Sequence, residues 1–387
     1  MEKYKYYKRK KKFSLVKAKT IKIFFNNSKK LISIIILFIF YLLEKPSINE
    51  VAEKLIESNN FSTTTLALNE HYKILLPKKK YHNYKKINAE NMFKLEDSVD
   101  YKKQKEIGAG KYIYHNCMLT KAKYENLYAR EFVEYYLNLG VDKFYFGDDD
   151  PEEIENLFDV LDDYVKKGIV DIDYIFHLNI THHDWYEYTF SAIKSRCKWI
   201  LLFDVDEFLE FTDKNMTIKT YLDMPIFDKC DVIKIHWKIY DDNNLLYYDN
   251  RPVNERFTHV RQHNKYEIFM KSIMRGKDYG VNLFSKEKTA HTPSVLVTEQ
   301  CDAEGNFERL SRGMMGTPKF KLCYLKHFTC KTAEEYAIKL IRGIHQSRKY
   351  DLDDKIKYFK ATNDLTEEKL KIIEKIIGRN FPNYHNK

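Results

Sequence analysis

Trp199-Ile-Leu-Leu-Phe-Asp-Val-Asp-Glu-Phe-Leu209 is the stretch that decides the fold. Trp199 to Phe203 is an unbroken apolar run, long enough for one buried strand. Asp204, Val205 and Asp206 follow. Alternate residues of a strand share a side. The spacing therefore predicts both carboxylates leaving the strand end together, while Val205 turns back to the core. Two carboxylates on one side make a hard oxygen site suited to Mg²⁺ or Mn²⁺, with water and substrate phosphate filling the other positions. Three acids at a buried strand end (Asp204, Asp206, Glu207) are costly unless a cation sits among them. The triplet alone is weak, because Asp-x-Asp recurs at Asp148–Asp150, Asp171–Asp173 and Asp351–Asp353.

The residues upstream supply context. Tyr112–Asn116 reads as a strand. Tyr124–Leu139 reads as an amphipathic helix with Tyr128, Phe132, Val133 and Tyr136 on one face and Gly140 just past its end. Val141–Phe146 is a strand. Asp150 caps the next helix, with Pro151 at its first position, and Leu157, Phe158, Leu161 and Val165 carry it to Gly168. Ile169–Phe176 is a strand, Trp185–Cys197 a helix, and Trp199–Val205 the fourth strand. Such alternation builds a parallel, doubly wound sheet with right-handed crossovers. Ligands then bind beyond the carboxyl ends of the strands. Asp148–Asp150, Asn179 with His182 and His183, and Asp204 with Asp206 all fall there. No G-x-G-x-x-G follows the first strand and no G-x-x-x-x-G-K-[ST] occurs, which disfavours dinucleotide binding and P-loop chemistry.

The 387 residues carry a net charge of +10, which resembles a nucleic-acid signal until it is located. Residues 1–30 hold twelve Lys and Arg against Glu2, and the remainder carries 54 basic against 55 acidic side chains. The basicity is a tail, and nucleic acid is not an expected partner. Leu31–Leu43 follows, apolar except for Ser33. A basic segment before an apolar run is a membrane-targeting pattern with the Lys-rich side in the cytoplasm. As a helix the run spans about 20 Å, short of the ~30 Å hydrocarbon core. No small-residue cleavage site follows, so the reading is a short uncleaved signal anchor, with the catalytic domain facing the lumen if the anchor spans. Residues 44–110 read as a stem with one short helix begun by Ser47-Ile-Asn-Glu50. Residues 111–345 make the catalytic domain, and 346–387 a helical extension in which Thr366 caps a helix ended by Gly378. The six Cys have no C-x-x-C spacing, so a zinc or thioredoxin-type site is not expected, and their pairing stays open.

With these residues in place, the chain resembles a GT-A-type glycosyltransferase, similar to families 2 and 92. The segments that carry the resemblance are Lys123-Tyr-Glu-Asn-Leu-Tyr-Ala-Arg-Glu-Phe-Val-Glu-Tyr-Tyr136, Leu139-Gly-Val-Asp-Lys-Phe-Tyr-Phe-Gly-Asp-Asp-Asp150 and Lys198–Phe208. Val253–Thr258, Lys271-Ser-Ile273, His291-Thr-Pro293 and the His327–Gly343 segment add to it. Departures are Tyr124, where the family usually has Asn, Tyr136, where it often has His, and Gly147, where it has Tyr. The resemblance implies a GT-A-like, mostly parallel sheet and a nucleotide-sugar donor, usually a UDP-sugar, bound over a divalent metal. It implies that Asp148 or Asp149 holds the nucleoside, that Asp204 faces ribose and metal, that Asp206 binds the metal, and that Glu125 lies in the donor site. The implied reaction moves a hexose to a glycan or glycolipid hydroxyl. Another metal-dependent nucleotide-using transferase and a non-catalytic membrane-bound relative are the alternatives.

An inverting transfer needs a general base, usually a carboxylate. Asp241, Asp242 and Glu255 are the candidates. Asp241-Asp-Asn-Asn244 also reads as a turn that needs Asp and Asn for its own geometry, and Glu255 as a partner for Arg256. His327 follows the apolar Leu322–Leu325 and precedes a capping box at Thr332-Ala-Glu-Glu335. That places it to complete the metal shell, which favours Mn²⁺ over Mg²⁺. Lys331 and Arg342 are candidates to neutralise a diphosphate.

Overall fold

The computed structural model describes residues 111–150, 156–176, 182–261, 264–284, 297, 299–307, 317–342 and 351–381. The tail, the anchor at 31–43, the stem at 44–110 and His291 lie outside the described residues. No helix among the described residues is long and apolar enough to cross a membrane.

Alternation of strand and helix is present as expected. β1 (Tyr114–Ala122), α1 (Asn126–Asn138), β2 (Lys143–Asp148), α2 (Leu157–Lys166), β3 (Val170–Tyr174), α3 (His182–Ile193) and β4 (Cys197–Leu202) follow in order. β3, β2, β1 and β4 lie side by side, all parallel. Alternate residues of each strand feed opposite faces. Trp199 and Leu201 of β4 join α1 and α2 through Phe132, Tyr136, Leu157 and Leu161. Ile200 and Leu202 join α3 through Trp185, Tyr186 and Phe190. The sheet is thus covered on both faces. Each fully buried Leu or Phe contributes about 1.5–3 kcal/mol.

Beyond β4 the sheet is mixed. β5 (Glu207–Phe211), β6 (Val232–Ile239), β7 (Met270–Arg275), β8 (Gln300–Asp302) and β9 (Cys323–His327) complete it. β7 enters between β4 and β6, antiparallel to both, and β5 runs antiparallel to β9. β6 takes β8 beside its first half and β9 beside its second, both parallel. Two disulfides, Cys117–Cys197 and Cys230–Cys301, lock this arrangement, and Cys323 and Cys330 remain buried thiols.

Three expectations are corrected. The helix α2 begins at Leu157 and is capped by Asn156, whose side chain accepts from the Phe158 amide. Asp150 instead accepts from the Tyr124 amide at 2.7 Å. His182 and His183 sit in the first turn of α3 rather than in a loop. The Asp-x-Asp triplet lies past the end of β4, in a tight turn that leads directly into β5.

The C-terminal helices are α6 (Ala333–Arg342), α7 (Leu352–Thr362) and α8 (Glu367–Ile377), the last capped by Thr366 and ended by Gly378 in the left-handed conformation. α4 (Ile218–Leu222) and α5 (Val253–Arg256) are short. Tyr336 and Ala337 of α6 share a core with Ile356 and Phe359 of α7 and Leu370 and Ile373 of α8.

Candidate active site

The turn is built by its own acids. The Glu207 amide donates to the Asp204 carbonyl at 3.0 Å, closing a β-turn. The Asp204 amide donates to the Glu207 carboxylate at 2.8 Å. Asp204 and Asp206 are therefore turn positions rather than strand residues sharing a side. Their carboxylates find different cations. Lys271 Nζ, from β7, lies 2.6 Å from Asp204 and 3.5 Å from Glu207. Lys339 Nζ, from α6, lies 2.8 Å from Asp206.

His327 ends β9, on the strand side shared with buried Cys323 and Leu325. Its backbone pairs with Glu207 on one flank and Ile239 on the other. That register carries the ring to the turn. Nε2 stands 3.8 Å from Asp206 Oδ1, and Nδ1 is buried with no hydrogen-bond partner. Burial pulls the His327 pKa down to about 4 against the opposing charge of Asp206. Burial would raise the Asp206 carboxyl, but Lys339, His327 and Lys331 together hold it well below the usual carboxylate range. Glu207 moves the other way, pushed up by burial against the pull of Lys271, with Asp204 and Asp206 adding to the rise.

Lys331 turns the chain out of β9 with a positive φ of 58°, a conformation that a lysine rarely adopts. Its ammonium lies 4.0 Å from the centre of the Tyr128 ring. Burial lowers its pKa, while Glu125 and Asp206 oppose that shift. Asp206 and His327 are thus brought together, and Lys331 and Glu125 act on this region through their charge. Behind them Glu335 accepts a bidentate bond from Arg256 at 2.8 and 3.0 Å and a third from the Tyr128 hydroxyl at 2.6 Å. The expected capping box at Thr332 and Glu335 is formed. Arg256 pairs with Glu335 rather than with Glu255, which is exposed. Arg342 closes α6, and its side chain lies outside the described residues.

The acids at the end of β2 are committed locally. Asp148 accepts from the Asp150 and Leu157 amides. Asp149 pairs with Lys121 at 2.7 Å. Gly147 has a packing cause: a Cβ there would meet the Trp185 ring at 2.8 Å. Tyr124 adopts φ 54°, a conformation that Asn tolerates better, which accounts for the residue type usual at that position.

Asp241 and Asp242 form the turn after β6, with Asn243 and Asn244 both at positive φ. Asp241 accepts from the Asn243 amide and lies 3.6 Å from His259. Asp242 is buried against Lys369 at 2.7 Å. Sequence reading missed Lys339. Its signal was the Glu335–Lys339 spacing of one helical turn, which places both on one face of α6.

Residues 114–282 match the model of glycosyltransferase family 92. The match supports a glycosyltransferase. No curated protein matches the chain. Among solved structures, S. aureus TarS 1-349 is 11% identical, covering 70% of this chain and 73% of that one, with a TM-score of 0.29. The same TarS fragment with UDP-GlcNAc is 12% identical, covering 68% and 71%, with a TM-score of 0.32. A longer TarS chain is 12% identical, covering 70% and 46%, with a TM-score of 0.31. At these scores the likeness decides nothing about the fold.

Proposed function

We propose that this glycosyltransferase moves a hexose from a nucleotide sugar, a UDP-sugar by preference, to a hydroxyl of a glycan or glycolipid. The observation that carries the reading is the pair Asp206 and His327, which stand 3.8 Å apart although they come from a turn and a distant strand. A cation takes ligands at about 2 Å each, so a gap of that width suits one. Among the described residues no three His, Cys, Asp or Glu side chains gather as a ready metal cage. Water and donor phosphates would supply the remaining ligands, as is usual for Mg²⁺. The mixed oxygen and imidazole set favours Mn²⁺. Bound there, the metal would offset charge developing on the nucleoside diphosphate leaving group.

The chain's own residues take the other roles. Asp204, whose side chain is 41% exposed, faces the ribose and metal side. Lys331 and Glu125 line the diphosphate side, and Asp149, which Lys121 holds at 2.7 Å, takes the nucleoside by exchanging that partner. Asp241 serves as base: its turn follows Ile239, the strand partner of His327. Asp242 and Asp148 are already engaged by Lys369 and by backbone amides. Residues 31–43 hold the chain at a membrane with residues 1–30 cytoplasmic, supported by the basic tail beside the apolar run. The two disulfides suit a lumenal domain.

A screen of nucleotide sugars for donor hydrolysis by the full chain, with and without chelator, tests the reading. One UDP-sugar should be hydrolysed only with Mn²⁺ or Mg²⁺ present. Hydrolysis of none, together with no calorimetric binding of UDP with Mn²⁺, would overturn it.

A further inference from the structure

Lys339 is not explained by packing alone. It sits one turn after Glu335 on the face of α6 turned toward the sheet. Its ammonium is fixed at two points, Asp206 Oδ2 at 2.8 Å and the Thr329 carbonyl at 2.9 Å. The side chain is 17% exposed, so most of it is enclosed. Asp206 presents its other oxygen to His327. One carboxylate thus faces an imidazole across a cation-sized gap and an ammonium across a hydrogen bond.

We infer that Lys339 is a resident counter-cation: it holds Asp206 before the donor arrives, yields part of that carboxylate to the divalent metal, and passes to the diphosphate of the incoming nucleoside diphosphate. The inference rests on the metal reading of Asp206 and His327. Three features support it. A carboxylate this enclosed needs a positive partner at every stage. A divalent cation and an ammonium both bound tightly to one carboxylate repel each other, so each weakens the other's hold. And a lysine stem is flexible enough to move its charge by a few ångströms while α6 stays packed, whereas an arginine fork is fixed in a bidentate geometry. Lys331, already placed over Tyr128, stays behind as the fixed charge of the pair.

The test is calorimetry on the full chain and on Lys339→Met, which keeps the apolar stem. Two probes are used separately, Mn²⁺ alone and UDP alone in chelator. With the competing ammonium gone, Mn²⁺ should bind about tenfold tighter to the variant, and UDP without metal about tenfold weaker, the size expected for losing one supporting contact. Lys339→Gln should give the same two shifts, and serves if Lys339→Met does not fold. Unchanged Mn²⁺ affinity in a folded variant overturns the exchange while leaving the metal site standing. Absence of Mn²⁺ binding to both wild type and variant overturns the metal reading itself, and the exchange with it.

Discussion

The Asp242 carboxylate meets the Lys369 ammonium at 2.7 Å, and both side chains are buried. Lys369 also donates to Asn244 and to the Asp364 carbonyl. The Asp242 amide donates to Asn363 at 2.8 Å. The turn after β6 is therefore fastened to the last two helices, which in turn support α6. Replacing one member of a buried pair strands the other charge, at a cost of about 3–5 kcal/mol. Lys369→Met should lower stability by that order, read by urea unfolding. Asp242→Asn with Lys369→Met together should recover most of the loss. A Lys369→Met protein as stable as wild type would show that the pair does not hold the extension.

The cysteines give a count. Four are in disulfides and two, Cys323 and Cys330, are buried thiols pushed up to about 12 by burial. Reactivity needs an accessible thiolate. The native chain should therefore react with a thiol reagent only on unfolding, when two thiols should appear without reductant and six with it. Reduction of the native protein should cost about 2–5 kcal/mol per lost disulfide. Four or more thiols in the unreduced, unfolded chain would sink the assignment.

Lys234 gives a pH signature. It is buried in β6, donates to Ser272 at 2.8 Å, and burial lowers its pKa to about 7. A free lysine titrates near 10.4. Between those values the unfolded chain binds the extra proton, so stability from this group rises with pH, by up to about 1.4 kcal/mol per unit. Lys234→Met removes the effect. The stability difference, wild type minus variant, should therefore rise from pH 7 to about pH 10. A flat difference would mean that Lys234 stays charged in the folded protein.

Strand and helix order from β1 to β4 was legible because apolar periodicity there is uninterrupted and each helix ends at a glycine or a polar turn. The Gly140 and Gly378 helix ends and the Thr332–Glu335 box were legible because local chemistry alone decides them. The nearness of His327 to the Asp-x-Asp turn was expected from a strand end leading to a capped helix, and the structure puts its Nε2 3.8 Å from Asp206. The pairing of β5 with β9, and of β8 and β9 along one side of β6, was not, because short strands carry no record of their partners. Lys271 and Lys339 were missed as counter-charges for a related reason. A lysine on an amphipathic element looks like a solvated face until its partner, here 67 or 133 residues away in sequence, is known to be near. Asp242 read as a catalytic candidate because sequence cannot tell a presented carboxylate from one pinned by a later helix.

The two acids at either side of the turn from β4 to β5 should respond oppositely to loss of charge. Carboxylate crowding alone would suggest that Asp206→Asn relieves repulsion and stabilises the fold. The structure reverses that sign. Lys339, His327 and Lys331 overcome the cost of burial and keep Asp206 ionised far below the usual range. A carboxyl with a depressed folded pKa contributes stability above its unfolded pKa, near 3.9, and that contribution is lost as pH falls. At pH 7 Asp206→Asn removes the contribution and leaves Lys339 without its ion pair, so it should destabilise by about 1–3 kcal/mol. Glu207 is the converse. Burial raises its carboxyl, Lys271 only partly opposes that, and Asp204 and Asp206 add to the rise. Its Oε1 is buried with no hydrogen-bond partner. Glu207→Gln keeps the shape and still accepts from the Asp204 amide, while Lys271 keeps Asp204 at 2.6 Å. It should leave stability at pH 8 unchanged or higher. Activity should separate the two as well: Asp206→Asn should lose Mn²⁺ binding and turnover, and Glu207→Gln should keep Mn²⁺ affinity within about tenfold, the lower end for a group that only supports a ligand. Thermal unfolding of both variants at pH 8, beside Mn²⁺ titration by calorimetry, makes the comparison. An Asp206→Asn protein that is more stable than wild type and still binds Mn²⁺ would overturn the placement of charge at this turn.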